Sequence, residues 1–280
     1  FTVAYSRLRE TMYAGHPYSF SSLGTAEAVT ALDQAALQQA HQTYFRPDNM
    51  VVSIVGRIDP DEAIQLVDTV LGDWVAPASP LPPLALPTLQ PESQRLITPQ
   101  DTNQSVIILG HLAGAVEDPD FAALKLISTY LGNGLSSRLF VELREKQGLA
   151  YDVSAFYPTR LSTSQFVAYI GTAPQNSAIA LAGLQTELYR LCDVPLQPEE
   201  LQVAKNKLLG QYALGKQTNG QIAQLLGWYE ILGLGTAFDE QFQRQVDAVT
   251  IEDAQAAAQR CFVEPYISIL GPQAVVEALA

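Results

Sequence analysis

The sequence predicts an α/β protein built from two related halves. Three observations carry that reading: helical apolar stripes alternate with short β-branched runs, a proline-dense segment divides the chain, and a helix–turn–strand pattern near the start recurs near the end. With 280 residues, 48% of them hydrophobic, the chain can bury a sizeable core in more than one domain.

A short helix is expected over Thr2 to Met12, followed by the turn-rich loop YAGHPYSFSSLGT. Asp33 is a good N-cap, and Ala36, Leu37, Ala40 and Tyr44 form one stripe of the helix behind it. RPDN ends that helix, and MVVSIVG reads as a short buried strand. Asp59-Pro60 opens another helix to about Leu71, with proline in its first turn. Pro77, Pro80, Pro82, Pro83, Pro87 and Pro91 then remove backbone donors and fix φ, which predicts an extended, semi-rigid connector. The domain limits follow from it: 1–75, a linker over 76–93, and 94–280.

Beyond the linker, SVIILGHL is a strand, and DPDFAALKLISTYLG is a helix with Pro119 near its start. SSRLFVELREKQG is a further helix, with Ser136 or Ser137 as N-cap and Gly148 as its stop. Leu149 to Phe156 and Ser164 to Gly171 alternate like paired strands. From Gln175 onward a run of helices leads to the strand YISILG and a short last helix.

The repeat compares ALDQAALQQAHQTYFRPDNMVVSIVG with AVTIEDAQAAAQRCFVEPYISILG. Each copy is an Ala/Gln-rich helix ending in an aromatic, Phe45 or Phe262. Each then turns through Pro47 or Pro265 into a β-branched run closed by Gly56 or Gly271. The two aromatics lie 217 positions apart, which aligns Phe1 with position 218 of the second copy. A second copy beginning near residue 94 then leaves the first about 120 residues short at its start. The chain is expected to be a fragment.

The formal charge of −13 argues against nucleic acid as a partner, because phosphate binding needs a basic face. No apolar run reaches the ~18 residues of a membrane span. No signal peptide is visible, yet the first residue is Phe1 rather than Met, so the compartment stays open between the cytoplasm and periplasm of a bacterium. Cys192 and Cys261 form no Cys-x-x-Cys pair and read as plain thiols. His16, His41 and His111 are scattered and form no zinc-gripping helical pair; His111 reads as core or edge, His41 as solvated, and His16 as loop-borne. GNGLSSR lacks the lysine of a phosphate-binding loop, and no Gly-x-Ser-x-Gly elbow occurs.

The run LGNGLSSRLFVELREKQGLAYDVSAFY with FVAYIGTAP resembles the C-terminal-domain signature of the insulinase/pitrilysin-like zinc peptidases, which include the mitochondrial processing peptidase and bacterial relatives. YAGHPYSFSSLGT with YFRPDNMVVSIVG resembles the end of that family's N-terminal domain. The resemblance implies two homologous domains of mixed, largely antiparallel sheet flanked by helices, the first truncated here. It implies a peptidase whose zinc is held by an inverted His-x-x-Glu-His helix plus a later glutamate, and no residue of this chain matches those. Zinc would therefore belong to the intact parent or to a partner subunit. The chain alone would be inactive.

The resemblance also gives roles to Arg144 and Tyr151, which match a family pair that binds the substrate backbone and supports the transition state. The residue types suit that work, since a guanidinium or a phenol donates to a peptide carbonyl and to the oxyanion formed on attack. Read without the family, the same residues allow a plainer account. Arg144 would pair with neighbouring carboxylates or solvent, and Tyr151 would share a core face with Leu149, Val153 and Ala155. The expected partners are a peptide substrate and a second, zinc-bearing subunit in a homo- or heterodimer. A non-catalytic subunit and a structural or peptide-binding member of the fold are the alternatives.

Overall fold

The structure is a computed structural model and describes residues 1–279. Four helices come first: α1 (Thr2–Met12), α2 (Ala26–Ala31), α3 (Gln34–Tyr44) and α4 (Pro60–Leu71). Strands β1 (Gln94–Pro99) and β2 (Ser105–Ala113) lead to α5 (Phe121–Gly132), a π-helical segment (Phe140–Lys146), β3 (Asp152–Phe156) and β4 (Ser164–Thr172). Five helices follow: α6 (Ser177–Asp193), α7 (Pro198–Leu214), α8 (Asn219–Ile231), α9 (Phe238–Ala248) and α10 (Ile251–Cys261). Strand β5 (Tyr266–Gly271) and α11 (Gln273–Glu277) complete the order.

The chain forms two compact units. The larger gathers residues 1–20, 86–210 and 242–279, and the smaller 21–85 and 211–241. These limits differ from the sequence division at 1–75, 76–93 and 94–280. Helix α1 joins the larger unit because its apolar stripe is buried on that unit's sheet, and 211–241 joins the smaller. Compactness and family-domain limits are separate properties of a chain.

In the larger unit the strands run in the order β1-β5-β2-β4-β3. Only β1 and β5 are parallel; the other three pairings are antiparallel, so the sheet is mixed and largely antiparallel. Side chains alternate across it. On one face Ile108, Leu112, Val167, Tyr266 and Leu270 pack against Ala4, Leu8, Met12 and Tyr13 of α1 and the residue after it. The other face meets α6 and α10, with His111 of β2 lying 5.9 Å from Tyr189 and 5.4 Å from Phe262 between ring centroids. Burying one Ile or Leu side chain of this kind contributes about 1.5–3 kcal/mol. At the β3 edge, α5 approaches so closely that a Cβ on Gly132 would fall 1.9 Å from the Ala155 nitrogen. The Ser154 hydroxyl donates to the Gly132 carbonyl at 2.7 Å and ties the two together.

The smaller unit holds α2, α3, α4, α8 and the extended run 50–56. Asp33 caps α3 by accepting from the Ala36 amide at 2.8 Å, and Asp59 caps α4, with Pro60 in its first turn. Arg46 is buried and donates to both Asp48 oxygens and to the Ser79 and Pro77 carbonyls, fastening the first prolines of the connector to the turn after α3.

The expected buried strand MVVSIVG is not one. Among the described residues 51–56 has no ladder partner, and Val51, Val52 and Ile54 are 41%, 50% and 50% exposed. β-branched residues favour an extended backbone, but a strand also needs a neighbour to take its amides and carbonyls. Three smaller expectations also shift. Neither Ser136 nor Ser137 caps the helix before Gly148, where no side-chain cap is formed and the Ser137 hydroxyl lies buried without a partner. β1 and α2 add to the expected elements, and β3 begins at Asp152 rather than Leu149.

Candidate functional site

Residues 138–151 form a tight corner whose apolar members are inside and whose chemical members are outside. Leu143 is fully buried, and α6 comes so near that a Cβ on Gly183 would meet its Cδ2 at 2.8 Å. The helix is wound as a π-helix over Phe140–Lys146, a rare form that widens the turn and recurs at functional sites. Gly148 ends it with φ +64°, a conformation costly for residues with a Cβ. The Leu149 amide then reaches back to the Leu143 carbonyl at 2.8 Å, and the Gly148 amide to that of Arg144 at 3.1 Å. On the far side, the Leu149 carbonyl accepts from Thr172 Oγ1 at 2.7 Å, and the Tyr151 amide donates to Gly171 at 2.8 Å.

Both stems are therefore fixed, by a buried leucine on the helix side and by β4 on the strand side. The side chains they carry are free. Arg144 is exposed, its guanidinium carbon 4.9 Å from the centroid of the Phe140 ring, and it makes no ion pair among the described residues. Tyr151 is 55% exposed, whereas Leu149, Val153 and Ala155 are buried. Tyr151 is therefore not on the core face that the plainer account gave it, whereas an Arg144 open to solvent is a placement that account allowed. Tyr151 precedes the first ladder residue, so the strand's in–out alternation does not yet govern it.

Arg138, one and a half turns before Arg144, shows what a structural arginine looks like on the same helix. It bonds Glu187 of α6 at 2.7 Å and Glu142 at 3.1 Å, and Lys146 adds to Glu142 at 2.9 Å. Nearby, burial and the Glu200 carboxylate that its hydroxyl meets at 2.8 Å push the Tyr130 phenol up to about 12. The spacing of Arg138, Glu142 and Lys146 is visible in the sequence as successive i,i+4 pairs. Their tie to Glu187, 49 residues away, is not. On β4, Tyr169 donates to Asp152 at 3.1 Å, and burial followed by that carboxylate pushes its phenol up to about 12.

The residues present do not fit a zinc site. Among the described residues no group of three or more His, Cys, Asp or Glu could hold a metal ion. The histidines lie apart. His16 is buried with Nδ1 accepting the Tyr18 amide, His111 is buried with Nδ1 at 2.9 Å from the Val263 carbonyl, and His41 stacks on Phe45. Cys192 and Cys261 are both free thiols. No helix among the described residues is long and apolar enough to cross a membrane.

Residues 31–208 match the family model described as the peptidase M16 inactive domain. The chain belongs to that family. It is 28% identical over 272 residues to an uncharacterized zinc protease of Mycobacterium leprae, covering 96% of this chain and 61% of that protein. It is 23% identical over 261 residues to a Helicobacter pylori protein named a non-peptidase homolog, covering 88% of this chain and 57% of the other. Among solved structures, the peptidase M16 inactive domain from Pseudomonas fluorescens superposes with a TM-score of 0.88 at 25% identity, over 97% of this chain and 65% of that one. The chain thus spans about three-fifths of the length of the relatives it matches.

Proposed function

We propose that this chain is the non-metal-bearing part of a zinc metallopeptidase, supplying Arg144 and Tyr151 to a peptide bound against its corner. The observation that carries the reading is the construction of that corner: rigid stems, buried anchors, and two hydrogen-bond donors left exposed. A peptide carbonyl would accept from the Tyr151 hydroxyl or the Arg144 fork. Both contacts strengthen as negative charge develops on that oxygen during attack by water. The edge strand β3, directly after Tyr151, suits a substrate that adds in extended form, its main chain giving affinity without strict sequence reading. Names of relatives as zinc proteases support the class, and the metal would be held elsewhere in the parent or by a partner subunit.

In this proposal 1–75 is the end of an N-terminal peptidase domain, 76–93 the linker, and 94–280 the complete C-terminal domain. The open apolar faces of 51–56 support it, since they suit strands supplied from outside the described residues. A native gene product no longer than 280 residues would overturn the fragment reading.

The test of the site is hydrolysis of an unfolded peptide by the longer protein, or by this chain mixed with a zinc-bearing partner. Arg144→Ala and Tyr151→Phe are each expected to lower kcat/KM by roughly 10²–10³, the usual cost of one oxyanion donor. Both side chains are exposed, so thermal stability should stay unchanged. Undiminished hydrolysis in both variants would remove the pair from catalysis. A second reading, a non-catalytic or structural member, is favoured by the family description as an inactive domain and by the non-peptidase relative. It predicts no hydrolysis in any combination and no loss of assembly in Arg144→Ala.

A further inference from the structure

A second cluster of donors lies where α1 and the turn after it cover the sheet of the larger unit. Tyr5, Arg9 and Tyr13 are spaced i, i+4, i+8 and share one face of α1 and its end. Across from them stand Gln165 of β4 and Arg160 of the β3–β4 loop. The Gln165 amide donates to the Tyr5 hydroxyl, and the Arg160 guanidinium lies 4.8 Å from the Tyr18 ring centroid. Tyr13, His16 and Tyr18 close the group, with ring centroids 4.5–5.6 Å apart.

Five buried side-chain atoms here have no partner: Arg9 Nε, Tyr13 Oη, His16 Nε2, Arg160 Nε and Gln165 Oε1. Tyr13, His16 and Gln165 are fully buried. The proton inventory of this group is decisive. Arginine Nε carries a hydrogen, and Tyr13 has a phenolic one. His16 Nδ1 accepts the Tyr18 amide at 3.1 Å, so the neutral ring must carry its proton on Nε2. Burial lowers the His16 pKa and favours that neutral form. Four donors and one acceptor of this group are therefore buried without partners. Neither Arg9 nor Arg160 has a carboxylate partner among the described residues, and both guanidiniums act on the Tyr5 and Tyr13 phenols. Both arginines are half-buried, and Arg9 also donates to the Phe20 carbonyl at 3.1 Å; each buried donor left without an acceptor costs about 1–3 kcal/mol.

We propose that this cluster is a binding site for a small oxyanion of carboxylate type. A carboxylate offers about four lone-pair sites and one negative charge, matching four donors and two cations. A carboxylate would answer the buried donors and pair with the two half-buried guanidiniums at once. The carboxylate comes either from a free acid or from the C-terminus of a peptide, and both sources share this chemistry.

The experiment measures binding to the full chain by calorimetry and thermal shift at constant ionic strength. The probes are acetate, chloride, and a short peptide with either a free or an amidated C-terminus. Acetate is expected to raise Tm in proportion to the logarithm of its concentration, while chloride does not. The free-acid peptide binding without acetate would assign the source to a chain terminus and still support the site. Arg9→Gln and Arg160→Gln should each weaken binding at least tenfold. Both side chains are only half-buried and glutamine keeps the helix of the first, so the folded protein remains measurable. Response to acetate equal to that to chloride, with no preference for the free-acid peptide, would overturn the proposal. So would both variants binding as tightly as the native chain.

Discussion

The two copies of the internal repeat have the same local structure and opposite surroundings. In the second, α10 runs into Phe262 and β5, and every residue of β5 is buried between β1 and β2. In the first, α3 runs into Phe45 and the extended residues 51–56, where Phe45 is 61% exposed and no strand stands alongside among the described residues. Phe262 is only 6% exposed. Both helices are capped by a side chain, Asp33 or Thr250, and both end at the aromatic. Nearby sequence therefore makes the helix, the turn and the extended backbone. Neighbours make the strand and the core.

The largest effect expected from this contrast is on core burial. Ile269 is fully buried and paired on both sides, with Ile97 of β1 and Ile107 of β2. Ile269→Ala should cost about 2–5 kcal/mol, as removal of buried methyl groups from a packed site generally does. Ile54, its counterpart two residues before the closing glycine, is half-exposed. Ile54→Ala should cost under about 1 kcal/mol, since exposed substitutions usually stay near that range. Denaturant unfolding of both variants reads the difference. Equal losses would mean that the 51–56 run is as well packed in solution as β5, and the contrast would fall.

That asymmetry also explains what can be read from the sequence. Helix existence and most helix starts are legible because caps and stripes are local: the Asp33 and Asp59 caps and the Thr2–Met12 helix all stand where the sequence puts them. β2, β4 and β5 are legible as long apolar runs. β1, QRLITP, is not, because only its parallel pairing with β5 makes it a strand. MVVSIVG fails for the reverse reason, having the composition of a strand without the neighbour. At the site, the composition around Arg144 and Tyr151 suggests a core corner, and only the family likeness singles the pair out. Tyr151 points outward because the ladder begins one residue later, which periodicity alone does not reveal. Tyr13 and the unpaired donors around it leave no sequence signal, since their meeting depends on a contact between the first and middle thirds of the chain.

The histidines beside the two aromatics give an effect of intermediate size. His111 lies buried against Phe262, and burial pushes its pKa down to about 4 from an ordinary value of 6.5. Because the folded value is depressed, the neutral form is favoured by folding. The stability this residue contributes is fully present above pH 6.5 and is lost as pH falls through 4. Each tenfold change in proton affinity between the folded and unfolded chain is worth about 1.36 kcal/mol, so this histidine should account for a loss of about 3 kcal/mol across that window. His111→Phe should flatten the acid limb of the stability–pH curve. His41, exposed on α3 and stacked on Phe45 at 4.9 Å, is the control, and His41→Gln should leave that limb in place. If His111→Phe leaves the slope between pH 6.5 and 4 untouched, other groups carry the acid sensitivity.

The smallest effect expected is the one shared by both copies, and it tests the other side of the contrast. Asp33 accepts from the Ala36 amide at 2.8 Å, and Thr250 accepts from the Asp253 amide at 3.0 Å within a reciprocal capping box. Each satisfies a backbone donor that the first turn of a helix leaves unpaired. Because that requirement is local, it should not depend on whether the helix is buried beyond its first turn. Asp33→Ala and Thr250→Ala should each lower the stability of their own helix by about 1 kcal/mol. Amide hydrogen exchange along α3 and α10 separates the two losses, because each helix reports its own opening. Comparable increases at both starts would show that capping is indifferent to surroundings. A large increase in α10 with none in α3 would mean that the exposed helix is not held by its cap at all, so that even its local structure depends on neighbours.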